Sequence, residues 1–131
     1  MGIATLITWI LAAGGGFFML GQWIARGGAR GTATTNFPPA VIFGHFLLAA
    51  AGLVVWIVYL VAKTDALVWV AFALLLPVAV LGLVMFLRWW PGRAGSTTVE
   101  SRFPQPVVFA HGLFAVTTVV LVLLTELGVG N

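Results

Sequence analysis

The sequence predicts an all-α integral membrane protein, a four-helix bundle built from two tandem helical hairpins in parallel repeat. Three observations carry that reading. Hydrophobic residues make up 62% of the 131 and charged residues 7%, whereas about a quarter of a soluble domain is charged. Four apolar runs, 3–25, 38–62, 66–90 and 104–129, each reach the ~20 residues that cross a bilayer as helix. The phrase "FPPAVIFGH", Phe37 to His45, returns sixty-six residues later as "FPQPVVFAH", Phe103 to His111. With connections this short the chain is expected to form one transmembrane domain over 1–131, with repeats at about 1–65 and 66–131 and no water-soluble domain to carry chemistry outside the bilayer.

The first run, Ile3 to Ala25, has no basic residues ahead of it and reads as a retained span, not a cleaved signal. Its "AAGGG", Ala12 to Gly16, suits close helix packing and, lying within a span, is not a phosphate-binding loop. The second run starts at Pro38 and Pro39, because proline fits the first turn of a helix, where its missing N–H had no partner. Asn36 is the expected N-cap. A tight turn, Lys63-Thr64-Asp65, leads into the third run, where Pro77 frees the carbonyl of Ala73 and is expected to bend the helix. Pro104 and Pro106 mark the start of the fourth. Trp23, Trp89 and Trp90 fall where one interfacial aromatic belt is expected, and Trp56, Tyr59 and Trp69 where the other should lie.

Five of the six basic residues fall in or beside two connections: Arg26 and Arg30 between the first and second runs, Arg88, Arg93 and Arg102 flanking the gap between the third and fourth. Loops of this kind stay cytoplasmic. The expected placement is therefore the plasma (inner) membrane, multi-pass, with both Arg-rich connections inside and both termini outside. The net charge of +3 reports topology and gives no reason to expect nucleic acid. Zero cysteines remove disulfides, thiolate metal sites, Fe–S clusters and covalent haem attachment.

Shifted by sixty-six residues, the sequence matches itself at twelve of thirty-seven positions without a gap. The scarce residues align: Met19 with Met85, Trp23 with Trp89, His45 with His111. A two-span unit begins its second copy on the same side of the membrane as the first, so the repeats are parallel. Helices two and four then run in one direction. At about 1.5 Å rise per residue each histidine lies roughly 12 Å beyond its phenylalanine, at equal depth.

An ionisable side chain in the hydrocarbon layer is costly and marks a functional candidate. Two at one depth ask for a shared partner. Met19 and Met85, one turn deeper than Trp23 and Trp89, are expected to share that layer, although methionine also serves as core filler. Gly16 and Gly82 lie one turn further in, and Ala49 and Ala115 one turn beyond each histidine, leaving room for a ligand or for close packing. Asp65, Glu100 and Glu126 fall at helix ends or in loops, which argues against a His–carboxylate proton relay.

A bare zinc ion would need about four ligands, for which thioethers are poor candidates. Copper(I) would accept two His and two Met and is the alternative. Haem b requires only two axial ligands, here His45 and His111. Four-helix bundles hold cofactors between facing helices, and Arg26, Arg30, Arg88 and Arg102 lie within reach of propionates extending toward the interface. Each ligating imidazole is expected to give its other N–H to a carbonyl or water.

This plan resembles that of small membrane b-type cytochromes, in which four helices hold haem through histidines on two of them. The resemblance covers the four spans, His45 and His111, and implies electron transfer with quinol contact. It departs in histidine count: two histidines allow one bis-histidine haem, which cannot carry electrons across the whole membrane without a quinone, a larger redox complex or a second copy as partner. Two further readings compete. One is a non-catalytic accessory subunit of a redox complex, touching quinone or pigment. The other is a small transporter; multidrug exporters need an intramembrane carboxylate, and fluoride channels a polar second helix, where this chain has "VIFGHFLLAAAGLV". No nucleophile–base pair or paired carboxylate is present, so catalytic turnover by the chain alone is not expected.

Overall fold

The computed structural model describes residues 1–130. Four helices, α1 (Gly2–Ala25), α2 (Pro39–Ala62), α3 (Ala66–Gly92) and α4 (Gln105–Glu126), are joined by connections that include one short 3-10 turn (Val99–Arg102). Each helix is long and apolar enough to cross a membrane. Together they pack as an all-α, four-helix bundle with the character of a multi-pass membrane protein, and large apolar side chains such as Leu47, Val61 and Leu113 point outward.

The ends of the helices follow local rules. α1 stops where Gly27 takes φ +88° and the Gly28 N–H bonds back to the Trp23 carbonyl at 2.9 Å, a Schellman closure that only glycine enters without strain. α4 ends the same way, with Gly128 at φ +74° and the Val129 N–H on the Leu124 carbonyl at 2.9 Å. The fourth helix is therefore shorter than the apolar run to 129, since hydropathy does not register a left-handed glycine. α2 begins at Pro39 with Pro38 as its N-cap and no side-chain cap. Asn36 is not the expected cap; its N–H goes instead to Glu100. α3 continues through Pro77 and also takes in Pro91.

Packing does not follow the hairpins. α1 runs closely along α4, and α2 along α3, while contacts between those two pairs are sparser. The tight turn at 63–65 accounts for the α2–α3 pair, because Lys63, at φ 54°, reverses the chain within three residues. The longer connections at 26–38 and 93–104 hold α1 off α2 and α3 off α4, so that small residues on α1 can meet α4.

Two apolar clusters fill the bundle at different depths. Near the termini lie Trp9, Trp56, Val68, Ala71, Leu75 and Val122. Toward the Arg-rich end lie Trp23, Phe37, Ile42, Trp89, Val99 and Phe103. Trp23, Trp56 and Trp89, with 0%, 0% and 2% of their surface exposed, are core residues and not the belt residues expected from depth alone. Spacing fixes how deep a side chain lies; packing fixes which way it turns. Trp69 and Trp90 are exposed, as belt residues should be.

Candidate functional site

Between the two clusters stand the histidines. His45 on α2 and His111 on α4 face one another with ring centroids 6.1 Å apart and planes at 66°. Each belongs to a different close helix pair, so whatever both rings touch lies on the sparsely packed seam of the bundle. Metal–nitrogen bonds of about 2 Å would put the centroids of two imidazoles on one ion roughly 6 Å apart.

The half-sites share one construction. His45 Nδ1 is 2.9 Å from the Val78 carbonyl on α3, and His111 Nδ1 is 2.7 Å from the Ala12 carbonyl on α1. A carbonyl only accepts, so Nδ1 carries the proton in both rings and Nε2 is left with its lone pair. A backbone carbonyl that fixes tautomer and ring orientation is the usual outer partner of a ligating histidine.

Glycines make room for the rings. A Cβ at Gly82 would stand 3.1 Å from His45 Cε1, and one at Gly16 would stand 3.1 Å from His111 Cε1. Gly15 adds a second close approach, 3.3 Å from its Cβ position to His111 Cβ. The accepting carbonyls, those of Ala12 and Val78, lie sixty-six residues apart, as do the two glycines and the two histidines. Backbone carbonyls carry no side-chain signature, which is why residue types alone did not point to them.

The other expected site residues are distributed along the bundle. Ala49 and Ala115 are half-buried one turn beyond the histidines. Met19 and Met85 pack against the aromatic cluster toward the Arg-rich end, while the glycines are level with the imidazoles. Arg88 donates to the Asn36 carbonyl at 3.1 Å. Arg30 is exposed. Arg26 and Arg102 line a common cleft with Ala33, Thr97 and Val99. Among the described residues no three His, Cys, Asp or Glu side chains converge as metal ligands.

A second polar centre, not anticipated from the sequence, closes the Arg-rich end. Glu100 is 1% exposed; its carboxylate accepts the Thr35 hydroxyl at 2.8 Å and the Asn36 N–H. Thr35 Oγ1 in turn accepts the Trp23 indole N–H at 3.0 Å and the Phe37 N–H at 3.1 Å. The only hint in the sequence was that acids are so scarce here, three in all. This network ties the end of α1 to both long connections.

The fold and site thus define a multi-pass four-helix membrane bundle with a central pair of carbonyl-oriented histidines. No known protein family, curated protein or solved structure matches the chain.

Proposed function

We propose that the chain is a small membrane b-type cytochrome that holds one haem between His45 and His111 for electron transfer. The observation that carries this reading is the matched pair of Nδ1–carbonyl contacts, which leaves two Nε2 lone pairs at one level on rings 6.1 Å apart. The donor set fits haem better than a bare ion. Two imidazoles satisfy both axial positions while the porphyrin supplies the other four ligands. Copper(I) is less well supported, because Met19 and Met85 pack on the neighbouring aromatic cluster.

When bound, haem would supply a one-electron iron couple. The protein's part is to hold the imidazoles in one tautomer through the Ala12 and Val78 carbonyls, to admit the rings through Gly16 and Gly82, and to keep water out with the aromatic layers above and below. Burial and the two axial histidines are then the levers on the potential. A single haem needs partners to move charge across the bilayer, so the proposal includes exchange with a quinone, a larger redox complex or a second copy of the chain. It also places the Arg-rich loops on the cytoplasmic face of the inner membrane.

The hairpins 1–65 and 66–131 are read as tandem copies. Supporting this, the contacts of one histidine become those of the other when every residue number moves by sixty-six, with α1 exchanging for α3 and α2 for α4.

Reduced-minus-oxidised absorbance of protein made with ample haem tests the reading. Soret and α bands of low-spin haem are expected, and their loss in His45→Ala and in His111→Ala with membrane insertion intact. A haem-replete preparation without those bands would overturn the proposal, and so would haem retained by both variants.

A further inference from the structure

Beyond the histidine layer, five arginines gather at one end of the molecule with Glu100 as the only acid there. The Glu100 oxygens accept from Thr35 and Asn36, not from an arginine. Arg93 stacks 3.5 Å over the Trp90 ring, and Arg88 is tied to the Asn36 carbonyl. Arg26, Arg30 and Arg102 remain; Arg30 is exposed, whereas Arg26 and Arg102 share a cleft of about 130 Å³ with Ala33, Thr97 and Val99.

Size and position decide what such a cleft takes. A water occupies about 30 Å³ of liquid, so the space has room for a small polyatomic group such as a phosphate. Arg26 is the first residue past α1 and Arg102 lies three residues before α4, which puts both guanidinium groups at headgroup level. The cleft is separated from the histidines: Val99, one of its walls, belongs to the aromatic cluster that lies between them. Ten residues of α1, about 15 Å of helix, separate Gly16 from Arg26.

We propose that Arg26, Arg102 and Thr97 form a binding site for the phosphate of an anionic phospholipid headgroup. Guanidinium forks match phosphate oxygens bidentately, and the Thr97 hydroxyl is one further donor. Basic pockets between transmembrane helices on the cytoplasmic side take headgroups in this way. The inference does not rest on haem.

Native mass spectrometry of the full chain, offered equal amounts of phosphatidylglycerol and phosphatidylcholine, reads the site directly. The wild type should retain phosphatidylglycerol preferentially, and each of Arg26→Gln and Arg102→Gln should cost about fivefold of that preference. A charge-keeping Arg26→Lys, Arg102→Lys variant should recover part of it. Arg30→Gln, exposed and outside the cleft, should leave it unchanged; an equal loss there would mean diffuse charge attraction and overturn the site. Millimolar inorganic phosphate should not displace the lipid, and displacement would assign the cleft to soluble phosphate and overturn the lipid assignment. The doubly substituted His45→Ala, His111→Ala chain should keep the preference, so the haem reading and this one fail separately.

Discussion

His45 and His111 have nearly the same surroundings, whereas Trp23 and Trp89, one layer toward the Arg-rich end, do not. Each histidine meets a carbonyl and a glycine at matching distances. Both tryptophans are buried and each meets a phenylalanine edge-on, with centroids 6.1 Å apart in either case. Their indole nitrogens differ. Trp23 donates to Thr35, while Trp89 Nε1 has no partner among the described residues. The counterpart of Thr35 at the sixty-six-residue offset is Ser101, whose hydroxyl has turned to the Ser96 and Thr98 carbonyls. Glu100, the other member of the Thr35 network, faces Thr34 at that offset. The central layer is thus held to one geometry in both halves, while the end cap is built once, from one half's acid and the other half's hydroxyl.

The largest expected effect tests the equivalence of the histidines. Gly16→Leu and Gly82→Leu would each drive a side chain into an imidazole; overpacking of this kind costs typically 1–3 kcal/mol. On the proposed function, haem content measured by absorbance should fall by about tenfold and by similar factors in the two variants. Unequal losses would break the equivalence. Next comes the one-sided cap. Glu100→Ala strands the Thr35 hydroxyl and the Asn36 N–H and should lower stability by about 2 kcal/mol, with Glu100→Gln costing less. Thermal unfolding in detergent, followed by circular dichroism, measures both.

The tryptophans sharpen the contrast further. Trp23→Phe removes one hydrogen bond and should cost about 1 kcal/mol beyond its packing change, whereas Trp89→Phe removes an unpaired N–H and should come out that much less harmful. Equal costs would mean that the indole bond to Thr35 contributes nothing. The smallest effect lies on α1. Gly14 and Gly21 have open space where a Cβ would stand, while Gly15 does not. Alanine at 14 or 21 should stabilise the helix by up to about 1 kcal/mol, and alanine at 15 should offset that gain by crowding His111.

Much of this was legible from residue types and spacing. The four spans, the proline starts of α2 and α4, and the meeting of His45 with His111 all follow from hydropathy, helical rise and the repeated phrase. The methionines were expected level with the histidines, but their side chains pack on the next aromatic cluster. The buried Trp23 and Trp89 were expected at the lipid interface, because depth along a helix says nothing about its azimuth. Asn36 was expected to cap α2, and the acid that claims its N–H comes from sixty-four residues away.

By itself the sequence determined what a bilayer enforces locally: how many helices, how long, and at what depth each polar group lies, since those depend on transfer free energy and a fixed rise per residue. Only the tertiary structure decided which helices lie side by side, that carbonyls of α1 and α3 orient the imidazoles of α4 and α2, and that Glu100 is buried in a cap. Those features depend on rotation about each helix axis and on contacts between distant segments, which close packing selects and no local pattern encodes.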